Sequence, residues 1–328
     1  MTAPRETPFA TLSPERVLDS AEAAGFVANG RLLALNSYEN RVWRVGLEDG
    51  GYLIAKFYRS GRWSDEAILE EHAFALELAG AELPVVPPIV VAGQTLLKND
   101  DLRYALFPNR PGRAPELDDA NTLRWLGRFL GRIHGRGGTG RFRHRPRLTV
   151  ARLGEEPVRE VLAGPHLPAE LRPAYEAAAS AALVQVRAVF DAVGPLREIR
   201  LHGDCHHGNI LWTEAGPHFV DLDDCMQGPA VQDLWMLLSG TREEMTRQLA
   251  LLLEGYEDFA EFERGEIALI EALRTLRILH YAAWLARRWG DPAFPANFPW
   301  FDSPRYWQDH VLALREQLGA MDELPLQP

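Results

Sequence analysis

Cysteine is nearly absent: the chain has two, Cys205 and Cys225, in 328 residues. That argues against a disulfide framework and for a reducing, cytoplasmic location. Long apolar runs are missing as well. None approaches the roughly 18 residues that a membrane-spanning helix needs, so no membrane partner is expected. The opening MTAPRETPFATLSPERV lacks a charged-then-apolar pattern, so no secretory signal is expected either. Basic residues are in deficit, with 35 Lys and Arg against 46 Asp and Glu and a formal net charge of −11. Dedicated nucleic-acid binders are usually basic, and nucleic acid is therefore not an expected partner. There is no internal repeat and no long low-complexity segment.

What remains is an ordinary globular composition, 46% hydrophobic and 25% charged, in a chain long enough for two domains. Residues 13–24 open with Ser-Pro, a helix start. Strands are expected at 32–35 and 41–45 around the turn-like NSYEN, and at 52–58 in YLIAKFY. Residues 64–78 read as a helix whose first-turn acids suit the helix dipole. The prolines of LPVVPP end it, and strands near 89–91 and 104–107 complete a small sheet. PNRPGRAP, at 108–115, is a linker signal. Beyond it the pattern is helical, at 123–134, 183–192 and 267–289, apart from one hairpin, ILW-TEAGP-HFV. A β-rich lobe over 1–107 and an α-rich lobe over 108–328, with a cleft between them, is the expected α+β architecture.

Chemistry concentrates in LHGDCHHGNILW, residues 201–212. Zinc wants N or S ligands in spaced pairs around a tetrahedron. His202, Cys205, His206 and His207 are too compressed for that, and no second CxxC or HxxxH pair exists. His206 and His207 are read as loop and packing residues. Phosphoryl transfer has other demands: a carboxylate to orient the attacking hydroxyl and accept its proton, oxygen ligands for Mg2+, and a cation for the phosphates. His202-Gly203-Asp204 followed by Asn209, a hairpin, and Asp221 meets the first two in chain order.

HGDCHHGNILW, FVDLDD and GPAVQDLW resemble the aminoglycoside phosphotransferase and choline kinase family of the protein-kinase-like fold. NSYENRVW and PANFPWF bring the resemblance closer to the bacterial stress-response Ser/Thr protein kinases within it. The resemblance covers most of the chain. It implies a bilobal kinase fold with ATP in the cleft, Asp204 as the catalytic aspartate, and Asn209 and Asp221 as Mg2+ ligands. It implies protein substrates with Ser or Thr acceptors, self-phosphorylation included. It also makes Asp233 a brace of the catalytic loop. The same machinery serves small-molecule acceptors, and a nucleotide-binding scaffold without turnover is the third reading.

The N-terminal part supplies the cation. Alternation in YLIAKFY puts Ile54 and Lys56 on one face and Leu53, Ala55 and Phe57 on the other. A lysine in an apolar strand needs a partner, and the family match gives Lys56 the α and β phosphates, with Ile54 near adenine. On the following helix, Ala67, Glu71, Phe74 and Leu78 share one stripe. Glu71 is therefore the expected partner of Lys56, with Glu70 in reserve and the other acids solvated. Kinases usually cover phosphates with a glycine-rich loop; here Asn36-Ser37-Tyr38-Glu39-Asn40 has no glycine, and Ser37 and Asn40 are the candidate contacts. Asp223 shares a face with Asp221 if the strand continues, and is read either as a second metal ligand or as a hydrogen-bonded loop acid. Leu106 and Phe107 are the candidate adenine hinge. Cys205 and Cys225 read as buried thiols or a redox pair. Arg124, Arg128, Arg132 and Arg136, and then Arg141, Arg143, Arg145 and Arg147, read as solvated faces paired with acids. The aromatic tail reads as core packing or a substrate surface.

Overall fold

The computed structural model describes residues 8–328; the first residues of the stretch judged to lack a signal lie outside the described residues. In chain order the helices are α1 Pro14–Ala23, α2 Asp65–Gly80, α3 Ala120–Gly137, α4 Glu156–Ala163 and α5 Arg172–Val193. They continue with α6 Val231–Trp235, α7 Arg242–Tyr256, α8 Ile270–Arg288, α9 Ala293–Asn297 and α10 Pro304–Asp322. The strands are β1 Ala28–Ala34, β2 Arg41–Leu47, β3 Tyr52–Phe57, β4 Leu97–Asn99 and β5 Leu102–Pro108. Shorter ones follow: β6 Ile199–Leu201, β7 Ile210–Thr213, β8 Gly216–Phe219 and β9 Met226–Gly228. The architecture is α+β. The chain forms two compact units: one holds residues up to Glu116 with Phe142–Arg145 and His207–Cys225, the other holds the remainder. Among the described residues, no helix is long and apolar enough to cross a membrane.

The first unit is built on an antiparallel sheet in the order β1-β2-β3-β5-β4. Helix α1 starts where Ser13 caps it, accepting from the Arg16 N–H. It packs Val17 and Ala21 onto one face of the sheet, against Leu53, Ala55, Phe57, Tyr104 and Leu106. That leaves the Ile54 and Lys56 face for α2, which Ser64 caps by accepting from the Ala67 N–H. The strand expected at 89–91 is not there. Pro87 and Pro88 remove two donors just before it, and the segment makes isolated contacts instead, such as Ile89 N–H to Leu106 O at 2.7 Å. Its place at the sheet edge is taken by β4. The hairpin β7–β8 belongs to this unit, and Phe219 donates to Pro84 O and accepts from Val86 N–H.

The second unit is helical around the short β6–β9 pair. Helices α3 and α7 pack at backbone contact, because a Cβ on Gly127, Gly131 or Gly255 would collide with a carbonyl oxygen of the facing helix. This close approach brings the Tyr256 hydroxyl to 3.1 Å from His134 Nδ1. Outside the seam, Arg124 pairs with Glu254 and Arg128 with Asp258, so that stripe is a face paired with acids. The aromatic tail packs largely on itself: Phe294, Phe301 and Trp307 are fully buried, while Trp300 stays at the surface.

Helix α6 is anchored at its first turn by Glu266, which accepts from the Val231 N–H at 2.9 Å. Burial lifts this carboxyl from 4.5 to about 7. A raised acid binds its proton more tightly in the folded state. Its stabilising contribution is therefore complete below the unfolded value and is lost as pH rises through the folded one. Glu266→Gln keeps the acceptor and removes the ionisation. In urea unfolding it should match the parent at about pH 4 and exceed it by on the order of 3 kcal/mol at about pH 8. Equal stabilities at both pH values would contradict this.

Candidate active site

Lys56 projects from β3 and is 6% exposed. Its Nζ lies 2.8 Å from Asp221 Oδ1, 3.4 Å from Asp223 Oδ1 and 3.6 Å from Glu71 Oε1. Burial would lower the ammonium, but these carboxylates hold it well above its ordinary value. Burial also lifts Glu71 to about 7 against the pull of Lys56. The neighbouring acid has a different task. Glu70 accepts the backbone N–H groups of Arg143, His144 and Arg145 at 2.6, 2.7 and 2.9 Å, and so ties that segment to α2.

Asp221 has φ +61°, in the left-handed region that aspartate tolerates better than most residues. The turn ends the strand, and Leu222–Asp224 form a short 3-10 turn. Asp223 therefore does not share a strand face with Asp221, contrary to the expectation from alternation. It is buried, accepts from Asn40 Nδ2 at 3.0 Å, and is ion-paired with Arg62. Burial would raise its carboxyl, yet Arg62, Lys56 and Arg145 hold it well below the usual carboxylate range. Arg62 also pairs with Asp224 at 2.6 Å. Arg145 is buried too, donating to the carbonyls of Cys225 and Asp223. It is not on the solvated face that its alternating neighbours suggested.

A cavity of about 390 Å³ opens beside this cluster. Val42, Ile54, Phe107 and Leu211 give it apolar walls, and Ser37, Lys56, Asn209 and Asp221 give it polar ones. Asn40 does not line it. Both ends of its amide are engaged, one by Asp223 and the other by the Arg59 N–H at 3.2 Å. Leu106 faces the α1 core, and only Phe107 of the expected hinge pair reaches the cavity. The glycine-free loop is held from behind by Arg59, which donates to Glu39 O and Tyr38 O at 2.8 and 3.2 Å. Asn209 ends a short turn, and its carbonyl accepts the Val220 N–H at 3.0 Å. Asn209 and Asp221 are hard oxygen donors, a set that suits Mg2+ rather than zinc. Among the described residues no group of three or more His, Cys, Asp or Glu is placed to hold a metal. An Asn–Asp pair is still enough for Mg2+, which is often held by one or two carboxylates with water and phosphates.

Asp204 belongs to the second unit. The loop before it needs Gly203 at φ +86°. Asp233, fully buried on α6, accepts the N–H groups of His202 and Gly203, each at 2.8 Å, and lies 3.1 Å from His134 Nε2. The contacts run from the α3–α7 seam through Tyr256, His134 and Asp233 to the backbone of the loop before Asp204. Asp204 itself accepts from Arg277 Nη1 at 2.7 Å, and His206 Nε2 lies 3.5 Å from its other oxygen. Burial would raise this carboxyl, but His206 and Arg277 hold it well below the usual range, so it is an anion at neutral pH. His206 is thus more than a packing residue.

Four participants escaped the sequence reading: Arg62, Arg145, Arg277 and His206. The arginines meet acids far away in the chain, at separations such as 73 and 161 residues, which no local pattern reports. His206 was visible in the motif, and its spacing two after Asp204 was the available signal. Cys205 and Cys225 are fully buried, and burial pushes both thiols up, so neither has the exposed, activating site that a redox switch needs.

The model of the phosphotransferase enzyme family, APH, matches residues 31–270. The chain is 44% identical, over 97% of its length and 96% of the relative's, to the serine/threonine protein kinase RdoA of Salmonella typhimurium. The same figures hold for stress response kinase A of Escherichia coli K12. Among solved structures, the amicoumacin kinase hAmiN in complex with AMP-PNP, Ca2+ and Ami superposes with a TM-score of 0.73 at 19% identity, covering 97% of this chain and 96% of that one. That likeness establishes a protein-kinase-like fold.

Proposed function

The chain belongs to the phosphotransferase enzyme family, and from that premise we propose that it transfers the γ-phosphoryl group of ATP, with Mg2+, to Ser or Thr hydroxyls of proteins, its own included. The observation that carries the reading is the buried Lys56 with Asp221 at 2.8 Å and Glu71 at 3.6 Å, beside a cavity that Asn209 also lines. The choice of protein acceptors rests on the relative named as a serine/threonine protein kinase, RdoA. A small-molecule acceptor would use the same machinery and is the alternative; a scaffold without turnover is a weaker one.

In this reading residues 1–107 bind the nucleotide, and 108–328 carry the catalytic loop and the acceptor surface. Ile54 and Phe107 hold the adenine, Ser37 faces the phosphates, and the Lys56 ammonium binds their non-bridging oxygens. Asn209 and Asp221 hold Mg2+, which when bound neutralises phosphate charge. Asn40, whose amide is engaged by Asp223 and the Arg59 N–H, and Asp223, whose Oδ2 is engaged by Asn40 and Arg62, brace the site, while Asp223 Oδ1 faces Lys56 Nζ at 3.4 Å. Asp204 orients the acceptor hydroxyl and takes its proton as the new O–P bond forms. The bond from the γ phosphorus to the bridging oxygen breaks, and ADP leaves. A cytoplasmic location is part of the same proposal.

The test follows label from γ-labelled ATP, with and without Mg2+, in purified protein alone, with a generic basic protein, and with a panel of hydroxylated metabolites. Mg2+-dependent label on protein is the expected result. Label confined to a metabolite would move the assignment to a small-molecule kinase.

A further inference from the structure

Arg277 does two things at once in the second unit. From α8 it donates Nη1 to Asp204 Oδ1 at 2.7 Å. It also lines a cavity of about 570 Å³. A guanidinium carries its N–H donors in a planar fork suited to carboxylate and phosphate. Asp204 is the one hydrogen-bonding partner of Arg277 among the described residues, and the side chain is 46% exposed. Most of the fork is therefore uncommitted.

The rest of the lining suits an anion at that fork. Trp235, Tyr281 and Tyr306 supply aromatic walls. Arg274, the other cation of the lining, is held by Glu271 at 3.1 Å and sits over the Trp235 ring. Asp309 is the one carboxylate of the lining, with Arg305 at 3.6 Å. His310 is 7% exposed, and its Nε2 has no hydrogen-bond partner. Burial brings it down to about 4, so the ring is neutral and able to donate.

We propose that Arg277 is the acceptor-specificity residue: it receives a carboxylate or phosphate lying beside the reacting Ser or Thr while it holds Asp204. The inference rests on the protein-kinase reading above. One side chain then measures the distance between the recognised anion and the hydroxyl, because the same guanidinium grips the residue that accepts the proton. A basic flank would bring like charge to the open donors of Arg277, which disfavours it. A neutral flank leaves the remaining donors of Arg277 to water and forgoes the charge-assisted pair.

The experiment compares kcat/KM for one Ser-centred peptide flanked by glutamate, phosphoserine, glutamine or lysine. It uses the full-length protein and its Arg277→Gln and Arg277→Lys variants. The ratio between two peptides on one preparation does not depend on how much of that preparation is folded. Native protein should favour the anionic peptides over the glutamine peptide by roughly 10- to 100-fold. Arg277→Gln should reduce that ratio to about twofold or less, and Arg277→Lys should retain part of it. Preference for phosphoserine alone identifies a pre-phosphorylated segment; preference for both anions means a carboxylate suffices. Equal use of acidic and neutral peptides by the native protein, or a preference that survives Arg277→Gln, overturns the proposal and leaves the kinase reading intact. Failure to label any peptide or protein overturns both.

Discussion

Asp204→Ala should lower phosphoryl transfer by on the order of 10²- to 10⁴-fold while leaving nucleotide affinity within a few-fold of native, because in the proposed mechanism Asp204 serves the acceptor and not ATP. The loop that carries it is held from behind. Asp233 accepts the two backbone N–H groups that precede it, and Gly203 takes a left-handed turn that other residues resist. Removing the Asp204 carboxylate therefore deletes a functional group without deleting the scaffold. It does release Arg277 and His206 from their anion, and both are exposed enough to be hydrated. The variant should fold, and its Tm should stay close to native. Single-turnover assays at saturating Mg-ATP, with affinity measured separately by a fluorescent nucleotide, separate the two effects. Transfer at near-native rate removes Asp204 from the proton-accepting role. Lost nucleotide affinity would mean that it acts on the donor instead.

Lys56→Met should have the second large effect, on stability and activity together. The ammonium is surrounded by three carboxylates, and they differ in what they keep when it is gone. Asp221 is half exposed and can be hydrated. Asp223 retains Arg62, Arg145 and Asn40. Glu71 is buried, its Oε2 has no hydrogen-bond partner, and its remaining cation, Arg145, is 4.0 Å away. Breaking a buried pair by removing one member costs about 3–5 kcal/mol, and here that cost falls mainly on Glu71. Burial already raises Glu71 to about 7, so the loss should shrink as pH falls and the carboxyl takes up a proton. Adding Glu71→Gln to Lys56→Met should therefore restore more than half of the lost stability in urea unfolding. Transfer should remain lost, because the cation that binds phosphate in the proposed mechanism is still missing. No recovery of stability in the double variant would show that Glu71 is not the stranded charge. Recovered transfer would show that Lys56 does not bind phosphate.

Much of this arrangement was legible in short patterns. Alternation in YLIAKFY separated Ile54 and Lys56, which line the cavity, from Leu53, Ala55 and Phe57, which join the α1 core. The apolar stripe of α2 singled out Glu71 over Glu70, and Glu71 is the one within 3.6 Å of Lys56. Periodicity succeeds there because one face of each element is buried, and burial decides side-chain direction. It failed where the backbone leaves the regular geometries. Nothing in FVDLDD announces that Asp221 is left-handed, so continuing the strand to Asp223 was the natural error. Residues 89–91 looked like a strand because β-branched residues dominate, but the prolines before them remove the donors a ladder needs. Arg62, Arg145 and Arg277 are legible only in three dimensions. Each balances a charge from a distant segment, and an arginine in sequence looks the same whether it faces water or a buried acid.

In the proposed reaction protein hydroxyls are the acceptors and Asp204 takes their proton. Tandem mass spectrometry of proteins incubated with Mg-ATP and the native chain or its Asp204→Ala variant tests it most directly. Phosphoserine or phosphothreonine is expected in the native reactions, on the chain itself or on an added protein, and is expected to be lost with the variant. Phosphate found only on small molecules, or on proteins to the same extent with Asp204→Ala, would contradict it.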